Sequence, residues 1–151
     1  MSTIREGDNN REVFLSLENI EDNTRRGIRQ GFFRLGRLME LTLRREVMSK
    51  NKTGRVYRNG KTKTGRQRTH RASAAGETPA NRSGNYRKNI GYQIKGSDSM
   101  EFGVRDGAEY AEYLEDGTKN MAPRPGVGNT VRDTEEDAQR FFESSIETSL
   151  T

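Results

Sequence analysis

Apolar residues recur every three or four positions at Ile28, Phe32, Leu35, Met39, Leu43 and Val47. Arg25, Arg26, Arg29, Arg37, Arg44 and Arg45 lie around them. This pattern predicts a long amphipathic helix starting at Asn19 or Asp22. Gly27, Gly31 and Gly36 fall inside it, each costing about 1 kcal/mol relative to alanine, so the helix needs tertiary packing. Glycine kept at that cost points to close approach of another backbone. Upstream, residues 12–18 alternate in part, with Val13, Leu15 and Leu17 on one face, and predict a short strand that Phe14 interrupts.

Downstream the apolar pattern thins. Residues 50–71 hold Lys50, Lys52, Arg55, Arg58, Lys61, Lys63, Arg66, Arg68 and Arg71 and no acid, with a turn-like Asn59-Gly60 pair. They predict a long β-hairpin or loop around Tyr57. An irregular Pro/Gly/Ser stretch follows, then Ser83 as the N-cap of a short helix over 85–89. Strands over 91–95 and 100–104 pair antiparallel through the 96–99 turn. Residues 108–115 predict a helix with Tyr110, Tyr113 and Leu114 on one face, Tyr113 and Leu114 packed in the core, closed by Gly117 in a left-handed cap. After an irregular 117–128 segment, Ala138, Phe141, Phe142, Ile146 and Leu150 stripe a final helix over 129–150, whose first-turn acids match its dipole. The order predicts an α+β fold in which a long N-terminal helix and a C-terminal helix pack on one face of an antiparallel sheet. A single domain is expected over 1–151, with a flexible arm at 1–11 and an extended basic hairpin or loop at 50–82.

Composition sharpens this picture. With 29% hydrophobic and 32% charged residues, and a mean hydropathy of −1.07, the monomer has little apolar surface to set against its conformational entropy. Either long segments, 50–82 in part among them, are disordered in the isolated subunit, or partner subunits complete the fold. The net charge of +5 conceals a division: residues 1–97 carry 22 basic and 9 acidic side chains, and residues 98–151 carry 5 and 13. The two parts are therefore +13 and −8, which can pair within a subunit or steer one subunit onto the next in a head-to-tail ring.

Candidate chemistry is sparse. Cysteine is absent and His70 is the single histidine, so thiolate chemistry, disulfides and a histidine dyad within one chain have no members. No cofactor or metal site, signal sequence or membrane span is expected, and Glu135 and Glu136 read as dipole-matching residues. The basic 50–71 segment admits three readings: contact with phosphates, a solvated loop, or an arm on an acidic neighbour. Tyr110, Glu112, Glu115, Asp116 and Arg124 are candidates for contact with a neighbouring subunit. Arg124, held between two prolines, is suited to bidentate pairing with a carboxylate.

Three segments in order carry a resemblance. HRASAAGETPANRSGNYRKNIG at 70–91, YAEYLEDGT at 110–118 and MAPRP at 121–125 resemble motifs of the head-tail joining (neck or tail-completion) family of long-tailed double-stranded DNA phages, the gene-product-ten family of a lambda-like coliphage. Tyr86 stands where that family commonly has leucine, and Asn89 where it often has serine. The resemblance implies a non-enzymatic virion protein that forms a sixfold or twelvefold ring at the head-tail junction. Its implied partners are other neck, connector and tail proteins, with transient contact to genomic DNA. From another class, the basic balance also permits a nucleic-acid-binding protein using the arginine-rich helix and the 50–71 loop.

Overall fold

A computed structural model describes residues 8–105 and 110–151, with side chains from residue 18 onward. Helix α1 (Asp8–Met48) is followed by strands β1 (Val56–Lys61) and β2 (Gln67–Arg71). Helix α2 (Asn85–Asn89), strands β3 (Ile90–Lys95) and β4 (Ser99–Val104), and helices α3 (Tyr110–Asp116), α4 (Gly126–Asp133) and α5 (Glu135–Leu150) complete the order. The class is the expected α+β. The strands form two separate antiparallel pairs, β1-β2 and β3-β4.

The β3-β4 pair lies against α1. Its register sets Ile90 opposite Val104, Tyr92 opposite Phe102 and Ile94 opposite Met100, so six apolar side chains share one face. The core forms where α1 crosses this face. Leu43, Val47, Tyr86 and Ile90 are buried there, with Phe102, Val104, Ala111, Leu114 and Val127 packed around them. The other long helix, α5, runs along α1: Phe32 meets Phe142 edge-on at 4.9 Å, and the Arg34 guanidinium sits 4.5 Å above the Phe141 ring. Ser145 is buried at this seam and its hydroxyl accepts from Arg34. An added Cβ at Gly27 would lie 2.8 Å from the Ile146 Cα, and one at Gly36 would lie 2.3 Å from the Tyr92 ring. The glycines are where the helix is approached.

Four expectations are corrected. Residues 12–18 are part of α1, not a strand. Val13, Leu17, Ile20 and Thr24 continue the helical spacing without a glycine or proline to stop it, and that outweighs the partial alternation. The expected 1–11 arm lies outside the described residues at 1–7, and α1 has already begun at Asp8. Asn59-Gly60 is not the hairpin turn: it sits in β1 at a register shift, and the chain reverses at 62–66, where the Thr62 amide donates to the Arg66 carbonyl. The last helical segment begins at Gly126 and breaks at Thr134. There the buried threonine hydroxyl donates back to the Thr130 carbonyl at 2.8 Å, an arrangement that bends helices.

Smaller adjustments follow the same logic. Gly84, in the left-handed region at φ 83°, is the N-cap of α2, and Ser83 assists by accepting from the Asn85 amide. Tyr113 is 60% exposed, so of the α3 residues expected in the core only Leu114 packs there. Gly117 takes the expected left-handed conformation after α3. The helix expected from 108 is described from Tyr110, and residues 108–109 lie outside the described residues.

Candidate interaction surfaces

The basic segment is ordered as a hairpin whose β1 residues are all exposed and whose β2 residues are exposed except the half-buried His70. Tyr57 pairs with His70 across the ladder, and the Arg55 guanidinium lies over the Tyr57 ring at 5.5 Å. Arg58, Lys61, Lys63, Arg66, Arg68 and Arg71 all lie exposed on the hairpin or its turn. Like charges at this density repel one another unless counterions or an anionic partner screen them. Of the other three cations singled out in sequence, Lys50 and Arg55 are exposed at the base. Lys52 is half-buried there, and desolvation pulls its pKa down against the nearby Glu46 and Glu77 carboxylates.

Glu77 fastens that base. Its carboxylate accepts from the Thr53 hydroxyl, the Ala74 amide at 2.8 Å and the Thr53 amide at 3.2 Å, tying the strand entry to the strand exit. These bonds, that of the Thr53 hydroxyl first, hold its pKa below the usual value of 4.5. A carboxyl with a depressed folded pKa contributes stability that is present above the unfolded value and lost as pH falls through the folded one. Acidification below the ordinary carboxylate range, through the depressed folded pKa, should therefore loosen the hairpin base. Amide exchange at Thr53 and Ala74 should accelerate in the wild type, while Glu77→Gln is already fast at neutral pH. Equal exchange in the two proteins at pH 7 would show that the clamp is not holding.

The second group of sequence candidates surrounds α3. Glu115 turns inward, and its two oxygens accept from the Val127 amide at 3.0 Å and the Gly128 amide at 2.6 Å. It thereby satisfies orphan donors at the start of α4 and complements that helix's dipole. Tyr110, Glu112, Tyr113 and Asp116 remain exposed. Arg124 donates its backbone amide to the Leu114 carbonyl at 2.6 Å, while its buried Nε has no hydrogen-bond partner among the described residues. The carboxylate partner expected for it is not among the described ion pairs.

One surface escaped the sequence reading. Between the Arg26–Phe33 stretch of α1 and strand β3 lies an open groove of about 860 Å³. Its apolar lining includes Phe33, Tyr92 and Ile94, and its cations include Arg26, Arg29, Lys88 and Arg105. The Arg105 amide donates to the Asn89 carbonyl, so by antiparallel alternation the backbone groups of Ile90, Tyr92 and Ile94 point away from β4 to an edge without a strand partner among the described residues. Arg44 and Arg105 bond the Ile90 and Tyr92 carbonyls on that edge at 3.0 and 3.2 Å. Arg26 and Arg29 were visible in sequence as helix cations. Their meeting with Lys88 and Arg105 depends on packing between distant segments.

Among the described residues no cluster of three or more His, Asp or Glu is placed to hold a metal ion, and no helix is long and apolar enough to cross a membrane. Residues 61–117, from the end of β1 to the glycine after α3, match the family model described as "Bacteriophage HK97-gp10, putative tail-component". The match includes the 70–91 motif and reaches Gly117 in the next, and the 121–125 motif lies beyond it. No curated protein and no solved structure matches the chain.

Proposed function

We infer that this chain, whose residues 61–117 match the bacteriophage tail-component model, is a ring subunit at the head-tail junction that joins the filled head to the tail and lets DNA pass. The observation that carries the reading is the projecting cationic hairpin, whose turn and second strand lie inside the matched segment. It is a two-stranded arm with six exposed cations in addition to those at its base, and among the described residues it makes no extensive packing with another element. On a ring subunit such an arm either lines the channel, where phosphates supply the anions, or lies across the acidic C-terminal part of the next subunit. A grip on DNA through many phosphate contacts would weaken steeply with salt and would also hinder passage of the genome. That favours the neighbouring subunit as its main partner, with DNA contact transient. Interfaces of this kind repeat head to tail and close by rotation, and they need no catalytic group.

The reading against it is a nucleic-acid-binding protein, favoured by the same exposed cations. The acidic surface of α5, with Glu135, Glu136, Glu143 and Glu147 exposed, would repel phosphate on any face it shares. The test is electron microscopy of particles from a phage with an early stop codon in this gene. Free filled heads and free tails should accumulate in place of joined virions. Joined virions in normal number would overturn the reading and make salt-dependent DNA binding the property to measure.

A further inference from the structure

We infer that the open groove between α1 and β3 receives helix α3 of a second copy of this chain, an assignment that rests on the ring reading and names one of its interfaces. The groove combines an exposed aromatic wall with excess positive charge. Phe33 is 61% exposed and stands edge-on to Tyr92 at 6.1 Å. Arg26, Arg29, Lys88 and Arg105 have no carboxylate partner among the described ion pairs, and the one acid among the described residues lining the groove, Glu40, is already bridged by Arg44 at 2.7 Å and Arg37 at 3.5 Å. The complement is an apolar ridge flanked by carboxylates.

Helix α3 presents such a ridge. Tyr110 and Tyr113 are 40% and 60% exposed, and Glu112 and Asp116 stand exposed beside them. The third carboxylate of the helix, Glu115, is committed to α4. The acids of α5 lack this pairing, because Phe141 and Phe142 are turned toward α1 and half-buried. Tyrosines ringed by charge suit an interface whose apolar centre supplies affinity and whose ions fix register.

A subunit's own α3 does not fill its groove. Ala111 and Leu114 anchor α3 to the core around Leu43, and Arg29 precedes Leu43 by 14 residues of α1, about 21 Å at 1.5 Å per residue. No α3 residue lines the groove. Groove and ridge are therefore different patches of one subunit, and their pairing is heterologous, the kind that propagates into a ring.

The absence of cysteine gives a direct test. The full chain carrying both Arg29→Cys and Glu112→Cys, concentrated and treated with a mild oxidant, should give a ladder of disulfide-linked dimers, trimers and higher species on a non-reducing gel. Each single variant should stop at a small amount of dimer. Adding Arg26→Glu and Lys88→Glu to the double variant should cut the ladder at least tenfold, and both positions are exposed, so unfolding temperature should hold. A double variant no more cross-linked than the singles, or a ladder indifferent to the charge reversals, overturns the assignment. The ring reading fails separately: it falls if the stop-codon phage joins heads to tails, whatever the gel shows.

Discussion

Replacing Leu43 by alanine should lower the free energy of unfolding by about 4 kcal/mol, within the range of 2–5 kcal/mol for buried leucine truncations. Leu43 is fully buried and sits where four elements of the fold meet. It belongs to α1, packs with Ile90 of β3 and Tyr86 of α2, and its Cδ1 lies 3.2 Å from where a Cβ on Gly126 of α4 would stand. The surroundings are held from several sides and cannot collapse cheaply into the vacancy. A domain of this size is stable by roughly 5–15 kcal/mol, so the loss is a large fraction of the total. Urea unfolding should show a lower midpoint with an unchanged slope. Leu41→Ala, at a half-exposed position two residues away, should cost under about 0.5 kcal/mol, as surface changes do. A loss below 1 kcal/mol at Leu43 would mean that this junction is not the core.

The value of Leu43 was legible in the sequence because α1 carries its apolar stripe at unbroken helical spacing, and the same holds for strands β3 and β4, whose alternation and turn are local. Gly27, Gly31 and Gly36 were legible as points of close approach, though not what approaches. Ser145, Phe142 and Tyr92 lie far along the chain, and no local pattern names them. The errors came where two local patterns competed. Residues 12–18 satisfy both a weak period of two and a helical period that becomes clear only when Ile20 and Thr24 are read with them. Asn59-Gly60 is a good turn pair that the hairpin absorbs as an irregularity, because Thr62, Gly65 and Arg66 make a better-bonded reversal. At Thr134 nothing in the residue type forbids a continuous helix, and the break needs its hydroxyl's bond to Thr130. Among site residues, Glu115 read as a surface acid because its partners are backbone amides 12 and 13 residues away. The groove was illegible for the same reason: Arg26, Arg29, Lys88 and Arg105 converge only after α1 has crossed the β3-β4 pair.

Gly27→Val should cost about 3 kcal/mol, the upper end of what overpacking typically does. The added Cβ alone would stand 2.8 Å from the Ile146 Cα and 2.9 Å from the Ser145 carbonyl oxygen. These are backbone atoms of α5, which cannot rotate aside as a side-chain end would, so the helix axis must move. The move undoes neighbouring contacts in turn: Phe142 occupies the space left by Gly31, and Arg34 bonds the Ser144 hydroxyl at 2.7 Å. The offsetting gain is small, since valine improves on glycine in a helix by roughly 0.3 kcal/mol. At 16 residues α5 is marginal as a helix on its own, so displacing it should also melt it. Hydrogen exchange should therefore show α5 amides losing protection at least tenfold while those of β3 and β4 keep theirs, because that pair is held by the far end of α1. A variant that unfolds with the wild type and protects α5 equally would refute the seam. Uniform loss of protection across β3 and β4 as well would show instead that α5 and the core around Leu43 unfold as one unit.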